Sequence, residues 1–168
     1  MASATLVPVS EYLSKSYEPD CDYVDGIVEE RNVGEKDHSK LQTELTTWLN
    51  VRRQQFGIRV FVEQRIRVSP TRYRVPDICA YLGSEPDEQV FITPPFLCVE
   101  ILSPDDRMSR MLEKIQDYLG FGVRYVWIID PRTRMAEIHT LSGIEKVRDG
   151  LLRTSGPEIA VPLPELLG

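Results

Sequence analysis

Apolar residues change their spacing at Gly57, and the change separates a helix from a strand. Leu41, Leu45, Trp48, Leu49 and Phe56 recur at helical intervals, Asp37 or Ser39 can cap the start, and Gly57 supplies the stop. Beyond it the period is two. Ile58, Val60, Val62, Ile66 and Val68 share one strand face, and Arg59, Glu63, Arg65 and Arg67 share the other. Gln64 falls on the apolar face, so it either satisfies a backbone group or faces a site. A second strand over 72–82 follows the Ser69-Pro70-Thr71 turn.

Upstream, Ser10 caps a short helix, and Tyr23-Val24-Asp25-Gly26-Ile27-Val28 sets Asp-Gly between apolar pairs, a strong hairpin signal. Downstream, 96–102 reads as a buried central strand, apolar on both faces except at Glu100. Ser103-Pro104-Asp105 starts a helix that runs to Gly120, and 123–129 is another near-continuous apolar strand ending in Asp130-Pro131. Strand, helix, strand in that order predicts a parallel pair with a right-handed crossover. Shorter strands near 135–140 and 144–147 complete the sheet, and the tail 162–167 packs as a cap. The predicted class is α+β: a mixed central sheet flanked by helices, with an N-terminal hairpin. No internal repeat or Gly/Ser linker divides the chain, so 1–168 reads as a single domain with a loosely ordered N-terminus over 1–10.

Composition narrows the setting. The chain has 168 residues, 42% hydrophobic and 27% charged, as expected of one soluble globular domain. Apolar runs such as Tyr125 to Ile129 stop at five residues, far short of the ~18 that a membrane span needs. Cys21, Cys79 and Cys98 show no C-x-x-C spacing, which argues against a disulfide framework or structural zinc and points to the cytoplasm. A net charge of −6 argues at first against a nucleic-acid partner. The charge is uneven, however. Seven arginines and one acid between Arg52 and Arg74 make that segment +6, which leaves −12 on the rest. The segment is either a phosphate-binding face or a solvated strand face and helix end.

Two acids stand where acids are costly. Asp77 alternates with Val75, Cys79 and Tyr81, and Glu100 shares a face with Phe96, Cys98 and Leu102. A carboxylate on a buried strand is unfavourable unless it is paired or binds a metal. Two on neighbouring strands repel, and a divalent cation between them removes the conflict. Hard oxygen donors suit Mg²⁺, with Mn²⁺ as a substitute. Lys114 flanks the helix stripe Met108, Met111, Leu112, Ile115, Tyr118 and Leu119, and its stem can carry an ammonium to the acids. The alternative is a lysine snorkelling at the edge of a buried face. His38 can serve as an accessory group, against the commoner capping or surface role; His139 and Asp130 are assigned none. G-x-S-x-G, P-loop, G-x-G-x-x-G and H-E-x-x-H motifs are missing, which leaves serine-hydrolase, NTPase, dinucleotide and zincin readings without support.

Arg74-Val75-Pro76-Asp77 followed by Val99-Glu100-Ile101-Leu102-Ser103-Pro104 resembles the PD-(D/E)XK nuclease superfamily. Tyr23-Val24-Asp25-Gly26, the helix with Glu113-Lys114 and Tyr118, Gly122-Val123-Arg124-Tyr125-Val126-Trp127, and Asp130-Pro131 are similar to its Uma-two group of restriction-endonuclease-like proteins, over residues 12–167. The resemblance implies a restriction-endonuclease-like core, with Asp77, Glu100 and the backbone carbonyl of Ile101 as Mg²⁺ ligands. The superfamily lysine stands two positions after the second acid, where this chain has Leu102. The resemblance therefore implies that Lys114, on the following helix, takes its place. It also matches His38 to a histidine common in the group, and leaves Glu35 and Glu44 as candidates for accessory helix acids.

The function so implied is Mg²⁺-dependent hydrolysis of phosphodiester bonds in DNA, with Arg65, Arg67, Arg72 and Arg74 holding the phosphate backbone. A rival is a nuclease fold used for nucleic-acid binding or regulation without turnover, motivated by Leu102 and the overall acidity. A third reading pairs Asp77 and Glu100 with Arg74 or Arg107 as buried ion pairs. Related nucleases often dimerise, so a homodimer is a candidate assembly.

Overall fold

The two long strands read from the sequence each break in the middle, and the breaks distribute them between two sheets. The computed structural model describes residues 5–32 and 34–168. Helix α1 (Val9–Ser14) leads into the hairpin β1 (Cys21–Val24) and β2 (Ile27–Glu30), then α2 (Lys36–Val51) and the short α3 (Arg53–Phe56). The expected helix therefore stops at Arg52, whose guanidinium lies 4.0 Å from the Trp48 ring centroid. Gly57 ends α3 in the left-handed conformation, as its place after the apolar stripe predicts.

Strand β3 (Ile58–Val62) ends at Glu63, which takes a positive φ of 49°, and the chain resumes as β4 (Ile66–Ser69). Likewise β5 (Arg72–Arg74) ends before Val75-Pro76-Asp77, and β6 begins at Ile78 (Ile78–Leu82). Pro76 has no N–H to give a ladder, which favours the interruption. Strands β4 and β5 join the hairpin in a four-stranded sheet ordered β2-β1-β5-β4.

Strands β7 (Leu97–Ile101), β8 (Tyr125–Asp130), β9 (Met135–Thr140) and β10 (Gly143–Lys146) build the larger sheet, ordered β10-β9-β8-β7-β6-β3. Its one parallel pair is β7 with β8, joined through α4 (Met108–Phe121) as expected. A small antiparallel pair, β11 (Leu151–Thr154) and β12 (Ile159–Pro162), was missed by the sequence reading. The terminal helix α5 (Leu163–Leu167) buries Leu163 and Leu166 as the expected cap. Of the ten residues expected to form a loose N-terminus, 1–4 lie outside the described residues. Val7 donates its N–H to Gly26 O at 2.8 Å, and Val9 and Ser10 belong to α1.

Alternation along β7 fixes what faces where. Leu97, Val99 and Ile101 join the core beneath α2 and α5, together with Leu41, Leu45, Leu49 and Trp127. Cys98 points the other way, into the core under α4 with Met111, Ile115 and Tyr118. Glu100 has the parity of Cys98, and Asp77 has that of Cys79 and Tyr81 on the same side. Antiparallel register, with Ile78 opposite Val99, then brings Asp77 beside Glu100 at one end of the sheet.

Candidate active site

Asp77 and Glu100 are 2% and 3% exposed and line one cavity of about 490 Å³. The hairpin, the first turns of α2, Asp77 just before β6, the end of β7, and α4 all contribute to its wall. Asp77 Oδ1 meets Arg31 Nη2 at 2.5 Å and His38 Nε2 at 3.3 Å, and its Oδ2 accepts the Ile101 N–H at 2.7 Å. Gln42 Nε2 donates to the Asp77 backbone oxygen at 3.0 Å and steadies the turn that carries it. Burial raises the Asp77 pKa, but His38 and Arg31 outweigh it and hold the carboxyl below its ordinary value. Burial likewise opposes charge on His38, and Asp77 outweighs it, so the imidazole pKa rises.

Glu100 has less support. Its Oε1 accepts the Tyr118 hydroxyl at 2.7 Å, and its Oε2 faces the Lys114 ammonium at 3.8 Å. Burial raises its pKa to about 7, with Lys114 opposing and Asp77 adding to the rise. Lys114 also approaches Asp22 Oδ2 at 3.5 Å. Burial works against its charge, yet Asp22 and Glu100 more than offset this and raise its pKa, so it remains an ammonium. The α4 stripe explains how a lysine came inside. Met111, Ile115 and Tyr118 are buried while Met108 and Leu112 are exposed, which turns the buried face toward Lys114.

Asp22 and Arg31, both from the hairpin region, are site residues that the sequence reading did not single out. Asp22 is 1% exposed, accepts the Val75 N–H at 3.1 Å, and contacts Arg74 Nη1 at 3.2 Å. Its signal was the one that marked Glu100: an acid within an otherwise apolar strand.

Several expected residues lie elsewhere. Gln64 satisfies backbone, donating to the Arg65 and Gln89 carbonyls at 3.0 and 2.8 Å, outside the cavity. Arg74 is 1% exposed and paired with Asp22 and Asp117; Arg72 pairs with Asp25, Glu113 and Asp117. Both guanidiniums are engaged with carboxylates. Arg65 lies over the Tyr12 ring at 4.4 Å, and Arg67 is exposed; neither lines the cavity. Glu35 and Glu44 are exposed and also lie outside it. Asp77 does form a buried ion pair, but with Arg31 rather than with Arg74 or Arg107.

No group of three or more His, Cys, Asp or Glu side chains placed to hold a metal ion occurs among the described residues. The residues that the resemblance named are fewer: the carboxylates of Asp77 and Glu100 and the backbone of Ile101, all on the cavity wall. That set fits Mg²⁺, which takes one or two protein carboxylates and keeps several waters. Glu100 provides the test on this chain, because a buried carboxyl with its pKa near 7 is short of positive charge. The cavity lining agrees. It includes ten carboxylates against four Lys or Arg, so it attracts cations and repels a bare phosphate.

A mixed sheet with helices on both faces and a paired-acid cavity at the strand ends defines a restriction-endonuclease-like protein. The solved structure described as "a putative nuclease belonging to DUF820" from Anabaena variabilis ATCC 29413 has this fold. It superposes with a TM-score of 0.81 at 22% identity, over 95% of this chain and 99% of that one. The family model "Uma2: Putative restriction endonuclease" matches residues 9–164, and the chain belongs to that family. No curated protein gives a significant match.

Proposed function

We propose that this protein is a Mg²⁺-dependent endonuclease that hydrolyses phosphodiester bonds in DNA, with Asp77 and Glu100 as ligands. The observation that carries the reading is the pair of buried carboxylates, Asp77 just before β6 and Glu100 on the adjacent β7, with a lysine ammonium 3.8 Å from Glu100, in a single cavity. Membership in a restriction-endonuclease-like family supports it. When bound, Mg²⁺ polarises a phosphoryl oxygen and lowers the pKa of water. The Ile101 N–H and His38 fix the Asp77 carboxylate from two sides. Tyr118 fixes Glu100 through Oε1 and leaves Oε2 toward the cavity side where Lys114 lies. Lys114 keeps its proton beside two acids, so it offsets negative charge that builds on the phosphate during attack. The arrangement also speaks against a turnover-free binding module: Leu102 lacks an ammonium, but Lys114 delivers one to Glu100 from α4.

Relaxation of supercoiled plasmid DNA tests the reading. Wild type is expected to nick the plasmid with Mg²⁺ or Mn²⁺ and to stop in EDTA. Asp77→Ala is expected to lose at least about a hundredfold in rate while remaining folded. Equal nicking by the two proteins would overturn the assignment.

A further inference from the structure

Arg31 occupies the place of a cation. It follows β2 in the segment leading to α2, and its Nη2 meets Asp77 Oδ1 at 2.5 Å while Nη1 lies 3.9 Å from Glu63 Oε1. The side chain is 11% exposed. A guanidinium stays charged at any working pH, so it competes directly with a divalent cation for the oxygen it holds. Resting on the metal reading above, we propose that Arg31 is the resident counter-cation of Asp77 and is exchanged for Mg²⁺ when the site fills.

The partners of Asp77 support the exchange. Its Oδ1 already holds Arg31 Nη2 and His38 Nε2, and its Oδ2 holds the Ile101 N–H, so a divalent cation that takes Oδ1 meets the guanidinium's charge at contact distance, and withdrawing Arg31 removes that repulsion. The cavity also provides somewhere for the guanidinium to go. Glu30, Glu63 and Asp105 line it and are exposed, so a released guanidinium meets another carboxylate. A latch sits beside the moving group. Asn32 Nδ2 donates to Asp106 Oδ1 at 2.6 Å, and Asp106 Oδ2 accepts the Ser103 N–H at 2.6 Å, tying the Arg31 segment to the loop between β7 and α4. Metal affinity is thus set by what leaves Asp77 as well as by what arrives.

The test is Mn²⁺ binding by the full chain, read from the free-ion spin resonance signal, which does not depend on catalysis. Arg31→Gln is expected to bind Mn²⁺ about ten-fold or more tightly than wild type. Arg31→Lys, which keeps the charge, is expected to stay within about threefold of wild type. Asp77→Asn is expected to lose binding. Arg31→Gln binding no more tightly than wild type, while Asp77→Asn still loses the ion, would overturn the exchange and leave the metal site standing. Lys tightening as much as Gln would overturn it as well. Absence of Mn²⁺ binding in both wild type and Arg31→Gln would overturn the metal site together with the exchange. If Arg31→Gln unfolds in EDTA, Mn²⁺ is expected to refold it, and failure to refold would count against the exchange.

Discussion

Asp22, Asp77 and Glu100 show how one physical problem, charge without water, is solved three ways within one cavity. Asp22 is satisfied by the Val75 N–H, Arg74 and Lys114. Asp77 is satisfied by Arg31, His38 and the Ile101 N–H. Glu100 has a hydroxyl and a more distant ammonium, and so its pKa rises. Asp77 and Glu100 were legible in the sequence because an acid in an apolar strand is costly wherever it falls. Arg31 was not, because an arginine after a hairpin strand is ordinarily solvated, and the carboxylate it meets is 46 positions away. The His38 contact makes a pH prediction for metal-free protein. Its imidazole has a raised pKa in the fold, so the contact stabilises fully below the ordinary value of 6.5 and is lost as pH rises through the folded value. Wild-type stability to urea should therefore fall more steeply than that of His38→Gln as pH rises above about 6.5. Parallel slopes would show that His38 is neutral on Asp77.

Helix α4 and the broken strands carry the lesson at the level of elements. The spacing Met111, Ile115, Tyr118 specifies a helix and one face, but the sequence stripe also took in Met108 and Leu112, which the structure leaves exposed. The 14-residue helix lies against β4 of one sheet and β8 of the other and buries a narrower stripe than its apolar residues allow, with the buried face turned away from Leu112 and toward Lys114. Ile115→Ala should cost about 2–4 kcal/mol in urea unfolding, whereas Leu112→Ala should stay within about 1 kcal/mol. Equal costs would place the buried face where the sequence alone put it. The strand breaks at Glu63 and at Val75-Pro76-Asp77 escaped a periodicity reading for a different reason. Even-numbered apolar positions continue in the sequence across the first break, yet Ile58 and Val60 pack in the core under α2 while Ile66 and Val68 pack in the core under α4, because the chain changes sheets between them. The parallel pairing of β7 with β8 was recoverable because strand, helix and strand follow one another in sequence.

For the whole molecule, charge placement matters more than total charge. The +6 segment of the sequence disperses in space: Arg52 lies on Trp48, Arg65 on Tyr12, and Arg72 and Arg74 among acids. The cations that line the cavity are Arg31, Arg107, Arg110 and Lys114, of which Arg107 and Arg110 are exposed. DNA affinity measured against salt should reflect this. Replacing Arg107 and Arg110 by Ala should flatten the log–log slope by about 2, while Arg72→Ala should leave it unchanged. A change confined to Arg72→Ala would return the DNA face to the surface around Arg72. No helix among the described residues is long and apolar enough to cross a membrane.

If two buried acids and a displaced lysine form a metal-dependent phosphodiesterase site, the initial rate of plasmid nicking in Mg²⁺ depends on each of them. Wild type, Glu100→Gln and Lys114→Met are compared at equal DNA occupancy. Both variants are expected to fall at least about a hundredfold while binding DNA as wild type does. Nicking by Glu100→Gln at the wild-type rate, or nicking by wild type that persists in EDTA, would contradict the account.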